Sequence, residues 1–146
     1  MKKTLLLAAT LLVSVSLLYA GTENKMEKIF KQTFPTADDA KWIQDDNGYM
    51  VSFMQGNTLT RVCYNKNGKF VSSLRYYQGK DLPTNILLAV KSKYKGKDIF
   101  GVTEYTSTDE VIYYIKLYDG TNYYSVKALS DGTVTDEDAD NGGGDN

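Results

Sequence analysis

The sequence predicts an α+β fold in which about eight antiparallel strands form one sheet and two helices pack on one face of it. Two segments carry apolar residues at helical spacing, and the segments that follow each of them are apolar at every second position. The second half of the chain repeats this order. Because either half alone would bury little apolar surface, we expect a tandem repeat that shares one continuous sheet.

Both predicted helices have an apolar stripe and recognisable ends. The first is expected over 25–33, where Pro35 prevents the helix from continuing. The second is expected over 84–94, with Pro83 in front of its first turn and Gly96 behind its last. The two helices therefore open the two repeats.

The rest of the repeats alternates apolar and polar residues, which is typical of half-buried antiparallel strands. Asn-Gly and Asp-Gly pairs, the residues that favour tight hairpin turns, separate several of these runs. The expected strands lie near 40–44, 49–54, 61–64, 69–77, 101–106, 111–118 and 123–128, with a last one after Asp131-Gly132.

The two repeats align with two different shifts. A shift of 64 residues carries Val51 onto Ile115, whereas a shift of 62 carries Val62 onto Tyr124. The change of shift predicts that the hairpin loop between these strands is two residues shorter in the second repeat.

The first twenty residues have the form of a secretory signal, with Lys2 and Lys3 before an apolar run and Ala20 at the expected cut. We expect export to the periplasm or beyond the cell, and no membrane span once the signal is removed. The predicted parts are a signal peptide, a first helix-plus-sheet repeat, a second repeat and an acidic flexible tail, over 1–20, 21–80, 81–135 and 136–146.

Composition argues against several classes of function. The chain has no histidine, which is the commonest general base and metal ligand, and one cysteine, Cys63, which therefore has no histidine to activate it. A net charge of −1 leaves no strongly basic face for a nucleic acid. We expect a protein that is not an enzyme, uses no cofactor, has no metal-ligating residues and binds no nucleic acid.

Twelve tyrosines point to the side of the sheet away from the helices as a binding surface. Aromatic, methionine and arginine side chains, which are enriched at the centres of interfaces, are predicted there. They are Met50, Met54, Arg61, Tyr77, Tyr114, Tyr118 and Tyr123. The expected partner is an unidentified protein or peptide, or a second copy of this chain, although tyrosines also tolerate half-exposure on any sheet.

A second hypothesis is a small-molecule or calcium-binding periplasmic sensor that uses the sheet groove or the tail. Asp136, Asp138 and Asp140 have the spacing that opens a calcium loop, but Asn141 occupies the sixth position, where such loops have glycine. A flexible acidic segment is the other interpretation of the tail.

Several short motifs follow one another along the chain in a recognisable order. They include Phe34-Pro35, Ala40-Lys41-Trp42, Tyr49-x-Val51, Leu82-Pro83-x2-Ile86, Tyr113-x-Ile115-x-Leu117 and Asp131-Gly132. This order resembles that of the PepSY-like family of small exported bacterial proteins, over about 24–135. The resemblance implies a fold similar to that of the β-lactamase inhibitor protein, with no enzyme activity. In that fold, an open sheet face holds a protein partner.

Overall fold

A computed structural model describes residues 25–137, and the chain divides into two compact units between Thr36 and Ala37. The predicted signal peptide (1–20) and most of the predicted tail (138–146) lie outside the described residues. Within 25–137, no helix is both long enough and apolar enough to cross a membrane.

The first unit contributes helix α1, which occupies 25–33 as predicted. Its last turn is closed by a backbone hydrogen bond from Phe34 N–H to Phe30 O at 2.8 Å, and Pro35 follows at once. The side chains of Met26 and Phe30, four residues apart, are buried. They belong to the stripe that the helical spacing predicts.

The second unit is an eight-stranded sheet in which every strand pairs antiparallel with its neighbours in chain order. A short 3₁₀ helix, Gly79–Asp81, and helix α2, Thr84–Lys93, connect the fourth strand to the fifth. The predicted α+β class and strand number are therefore confirmed. The strands are β1 Asp38–Gln44, β2 Gly48–Gln55, β3 Thr58–Asn65, β4 Phe70–Tyr77, β5 Asp98–Ser107, β6 Val111–Tyr118, β7 Tyr123–Leu129 and β8 Val134–Asp136.

In most hairpins, a short polar side chain at the start of the turn accepts hydrogen bonds from backbone N–H groups that follow it in the sequence. Asp45 Oδ1, for example, accepts from Asn47 at 2.7 Å and from Gly48 at 3.0 Å. Such local bonds stabilise the turn through residues that are close in the sequence. The same role falls to Asn65, Ser107, Asp119 and Asp131 in later hairpins.

Helix α2 packs its apolar stripe against one face of the sheet. Ile86 and Val90 on the helix share a core with Tyr77 at the end of β4 and with strand residues of the second repeat. The strand side of this core is Tyr77, Val102, Tyr113, Ile115, Leu117, Val126 and Ala128. These side chains alternate along their strands with residues that project to the opposite face, as the period of two predicts.

The strand pairing corrects the predicted change of shift between the repeats. Val51 pairs with Val62 in the first repeat, and Ile115 pairs with Val126 in the second. The shift is therefore 64 residues on both strands, and equivalent paired residues are eleven positions apart in both hairpins. The prediction was wrong because similar side chains suggested that Val62 corresponds to Tyr124, whereas its position across the hairpin is that of Val126.

The repeats also share an irregularity in their first strands. Pairing with the next strand shifts between Asp38 and Lys41 in β1, and between Ile99 and Gly101 in β5. Lys41 and Gly101 occupy equivalent positions after this shift. Phe100 is the additional residue in β5, and a bulge of this kind re-aims the local side chains.

Replacing Leu117 by alanine should lower the free energy of unfolding by about 2–5 kcal/mol, because the side chain is fully buried in the core that α2 covers. The matched change Leu88→Ala, on the surface of α2 where the side chain is 64% exposed, should change it by less than about 0.5 kcal/mol. Urea denaturation measures both. Equal losses would contradict the packing of α2.

The contribution of Tyr94 to stability should depend on pH. Burial, followed by the hydrogen bond from its hydroxyl to Asp136 Oδ1 at 2.7 Å, raises the pKa of Tyr94 to about 12 from an ordinary value of 10.0. Because the folded pKa is higher than the unfolded one, this stabilisation is complete below pH 10 and is lost as the pH rises toward 12. The stability difference between wild type and Tyr94→Phe should therefore narrow over that interval in denaturation curves. A constant difference would refute the assignment.

Candidate functional site

The side of the sheet opposite α2, which we call the open face, is built from rows of side chains that cross the strands. Because directly paired residues of antiparallel strands project to the same side, the pairing identifies each row. One row is Ser52, Arg61, Leu74, Tyr105, Ile112 and Leu129, the next is Met54, Leu59, Tyr76, Thr103, Tyr114 and Lys127, and a shorter third row is Gly101, Lys116 and Ser125.

Six of the seven predicted site residues lie on the open face. Tyr118 and Tyr123 pair with each other just beyond the third row, and Met50 pairs with Cys63 on the far side of the first. The remaining three, Met54, Arg61 and Tyr114, are members of the rows.

The predicted position of Tyr77 was wrong. Its side chain is only 7% exposed and belongs to the core under α2, whereas the preceding residue, Tyr76, pairs with Leu59 and Thr103 on the open face. Adjacent tyrosines have the same chemistry, so the phase of β4 could not be read from their side chains. The partner strands decide it.

Tyr77 instead takes part in a polar cluster on the face that α2 covers. Its hydroxyl donates to Glu104 Oε2 at 2.6 Å, and Arg75 Nη1 lies 3.2 Å from Glu104 Oε1. Burial raises the pKa of the Tyr77 hydroxyl far above its ordinary value, the adjacent Glu104 raises it further, and Arg75 acts in the opposite direction. Burial also raises the pKa of Tyr113. The Glu104 side chain is 12% exposed, so these donors offset the cost of burying its charge.

A groove on the open face opens above Gly101. Its cavity volume is about 390 Å³, and its lining includes Tyr76, Phe100, Thr103, Tyr114, Lys116 and Ser125. A Cβ atom added to Gly101 would meet no atom within 4 Å, so the missing side chain leaves real space between the neighbouring strands. Aromatic rings form the walls of this space.

Three rings contact one another in series beside the groove, beginning with Phe100, which belongs to the groove lining. Phe100 and Tyr123 are 63% and 53% exposed, and their ring centroids lie 5.1 Å apart in an edge-on arrangement. The ring of Tyr118 follows at 4.7 Å from that of Tyr123. Sequence reasoning missed Phe100, because the alternation of β5 gives no sign of the bulge that exposes its ring.

The rows of the open face carry positive charge. Arg61, Lys116 and Lys127 lie in the three rows, which contain no carboxylate from β2 to β7. Just beyond the third row, Asp98 pairs with Tyr118, and its Oδ1 lies 3.4 Å from Lys91 Nζ. Lys116 Nζ donates to Ser125 Oγ at 3.0 Å, and the Arg61 guanidinium lies 5.9 Å from the ring centroid of Tyr76. Glu137, from the end of the described chain, reaches the rim of the groove.

Neither Cys63 nor the acidic residues assemble a metal centre within 25–137, where no group of three His, Cys, Asp or Glu side chains is close enough to hold an ion. Cys63 is a half-buried free thiol on the open face. Asp136, the first residue of the predicted tail, ends strand β8 and accepts a hydrogen bond from the Tyr94 hydroxyl. The other residues of the predicted calcium loop lie outside the described part of the chain.

Solved structures of several Bacteroides proteins share this fold. A DUF2874 family protein from Bacteroides ovatus matches with a TM-score of 0.57 and 22% identity, over 76% of this chain and 84% of that one. A BLIP-like protein from Bacteroides fragilis matches with a TM-score of 0.57 and 16% identity, over 75% and 80%. A candidate periplasmic protein from Bacteroides eggerthii matches with a TM-score of 0.57 and 19% identity, over 75% and 82%.

These matches confirm the expected likeness to the β-lactamase inhibitor protein fold. No protein-family model and no curated protein matches the chain, so membership of the PepSY-like family stays a prediction. Since one fold serves many functions, the function has to be argued from the open face itself.

Removing the hydroxyl of Tyr77 should lower the free energy of unfolding, whereas removing the hydroxyl of Tyr76 should leave it almost unchanged. Tyr77→Phe removes a hydrogen bond to a buried carboxylate and should lower the free energy of unfolding by about 1.5–3 kcal/mol. Tyr76→Phe makes the same chemical change on the open face and should have an effect below about 0.5 kcal/mol. Chemical denaturation compares the two variants, and the reverse order would mean that the phase of β4 is misassigned.

Proposed function

We propose that this chain is an exported, non-enzymatic module that binds a protein or peptide partner through its open face. The observation that carries the proposal is the run of half-exposed rings and methionines across β2 to β7, which ends in the exposed rings of Phe100 and Tyr123. Large apolar groups that remain in water are a cost that association can remove.

The composition of the face matches an interface centre better than an ordinary solvated surface. Tyrosine, methionine and arginine are enriched where partners meet, and tyrosine and arginine supply much of the binding energy there. Six strands at a spacing of about 4.8 Å give a face about 24 Å wide, which suits a folded partner or a long peptide. Met50 and Met54 add flexible side chains that can adjust to a partner.

The residues argue against catalysis on this face. The single thiol, Cys63, lacks a histidine base anywhere in the chain, and its strand neighbours are Met50 and Ser72. The Glu104 carboxylate is held by Arg75 and Tyr77 within the other face, where it stabilises the sheet. Binding is the function that the side chains of the open face support.

Export is supported by two independent observations. The first twenty residues have the charge and hydropathy pattern of a secretory signal. The fold is shared with a candidate periplasmic protein from Bacteroides eggerthii, and with a BLIP-like protein. The resemblance to PepSY-like proteins is consistent with a small exported module of this kind.

Photo-crosslinking in the native host tests the proposal. A photoreactive phenylalanine analogue placed at Tyr114 or Tyr123 should give covalent adducts with a partner, because both positions lie on the open face. The same analogue at Leu88, which is exposed on α2, should give none. Denaturing gels and mass spectrometry of the adducts measure the outcome, and adducts of twice the chain mass would identify a second copy as the partner.

A combined Tyr114→Ala, Tyr118→Ala and Tyr123→Ala variant, with the analogue introduced instead at Met54, provides the control. It should keep the circular dichroism spectrum of the folded chain and lose the adducts. Adducts from Leu88 alone, or undiminished adducts in the triple variant, would place the binding surface elsewhere.

A further inference from the structure

The groove above Gly101 is shaped to receive one large apolar side chain. Phe100, Tyr76 and Tyr114 contribute rings to its lining, and Gly101 contributes a position without a side chain. The equivalent position in the first repeat is occupied by Lys41, so the groove is a property of the second repeat alone within the described sheet. An inserted apolar group would remove these rings from water.

Three cations lie in the rows of the open face, and one of them, Lys116, lines the groove. Within 25–137, neither Arg61, Lys116 nor Lys127 forms a salt bridge, and their three rows hold no carboxylate from β2 to β7. The ammonium of Lys116 has the Ser125 hydroxyl as its partner rather than a carboxylate. Such a cation beside aromatic rings favours a ligand with negative charge, because electrostatic attraction strengthens as water is excluded.

A protein segment suits this surface better than a small molecule. The rings of Tyr118 and Tyr123 continue from one side of the groove, and Leu59 and Met54 continue the row on the other. A ligand that filled the groove alone would leave these side chains in water. A segment that crosses the face would cover them while it inserts one residue into the groove.

We infer that the open face recognises an acidic segment of a partner protein, whose large apolar side chain enters the groove above Gly101 while a neighbouring carboxylate meets Lys116. This inference rests on the proposed function. Glu137 at the rim opposes the approach of an acid, so its charge weakens the interaction rather than assisting it.

Selection from a random peptide library displayed on phage, against the chain purified from the exported fraction, tests this inference. The enriched peptides should combine a large apolar residue with a nearby Asp or Glu. Their affinity, measured by fluorescence anisotropy on synthetic copies, should fall about tenfold or more with Gly101→Trp, which fills the groove, and with Lys116→Glu, which reverses the charge. It should rise with Glu137→Gln.

Two matched controls separate these effects from damage to the fold. Gly101→Ala adds a single methyl group at the groove floor, and Lys66→Glu reverses a charge in the hairpin between β3 and β4; both should leave affinity within about twofold. Thermal melting of each variant verifies that it is folded, and Lys116→Glu, at an exposed position, tests the inference even where Gly101→Trp unfolds.

Enriched peptides that are basic or lack acids, peptides that bind the Gly101→Trp and Lys116→Glu variants as tightly as wild type, or a selection that enriches nothing would each overturn the inference. If crosslinking from Tyr114 and Tyr123 still captures a partner in any of these cases, the proposed function stands and only the acidic-segment recognition fails. If crosslinking captures no partner and the peptide selection also fails, the proposed function is refuted as well.

Discussion

The pairing of β4 with β5 joins the two repeats into one sheet, and both faces of the molecule depend on it. The paired residues of these two strands run from Ser72 opposite Ser107 to Tyr77 opposite Val102. The Arg75–Glu104 pair and the Tyr77 hydroxyl lie across the same two strands, on the side that α2 covers. An uncompensated Glu104 charge would be costly there, so its two donors help to specify this register over its neighbours.

Once the register between β4 and β5 is fixed, each strand places alternate side chains on the two faces of the sheet. Val102, Ile115 and Val126 form a continuous buried row under α2, and the residues between them face the other way. The tyrosines of the second repeat are divided accordingly: Tyr113 is buried beside Glu104, whereas Tyr114 remains available to a partner. Tyrosine therefore occurs both in the core and on the open face, depending on which side of its strand the position faces.

The bulge in β5 shapes the proposed binding surface. It exposes the ring of Phe100, and it brings Gly101 into the row of Lys116 and Ser125. A regular strand would not produce a ring and a gap at adjacent positions on one face. The first repeat has the same shift in β1 but carries Lys41 at the position of Gly101, so the two halves share this irregularity and differ in the side chain that follows it.

The sequence by itself determined the class of fold, both helices, the number of strands and the open-face positions of Met54, Arg61 and Tyr114, because these follow from local periodicity and turn residues. Tertiary structure alone decided that Tyr76 rather than Tyr77 faces outward. It also decided the constant shift of 64 residues, the contact of Arg75 with Glu104 and the exposure of Phe100. Each of these depends on which residue of a neighbouring strand lies opposite, and a chain's local pattern does not contain that register.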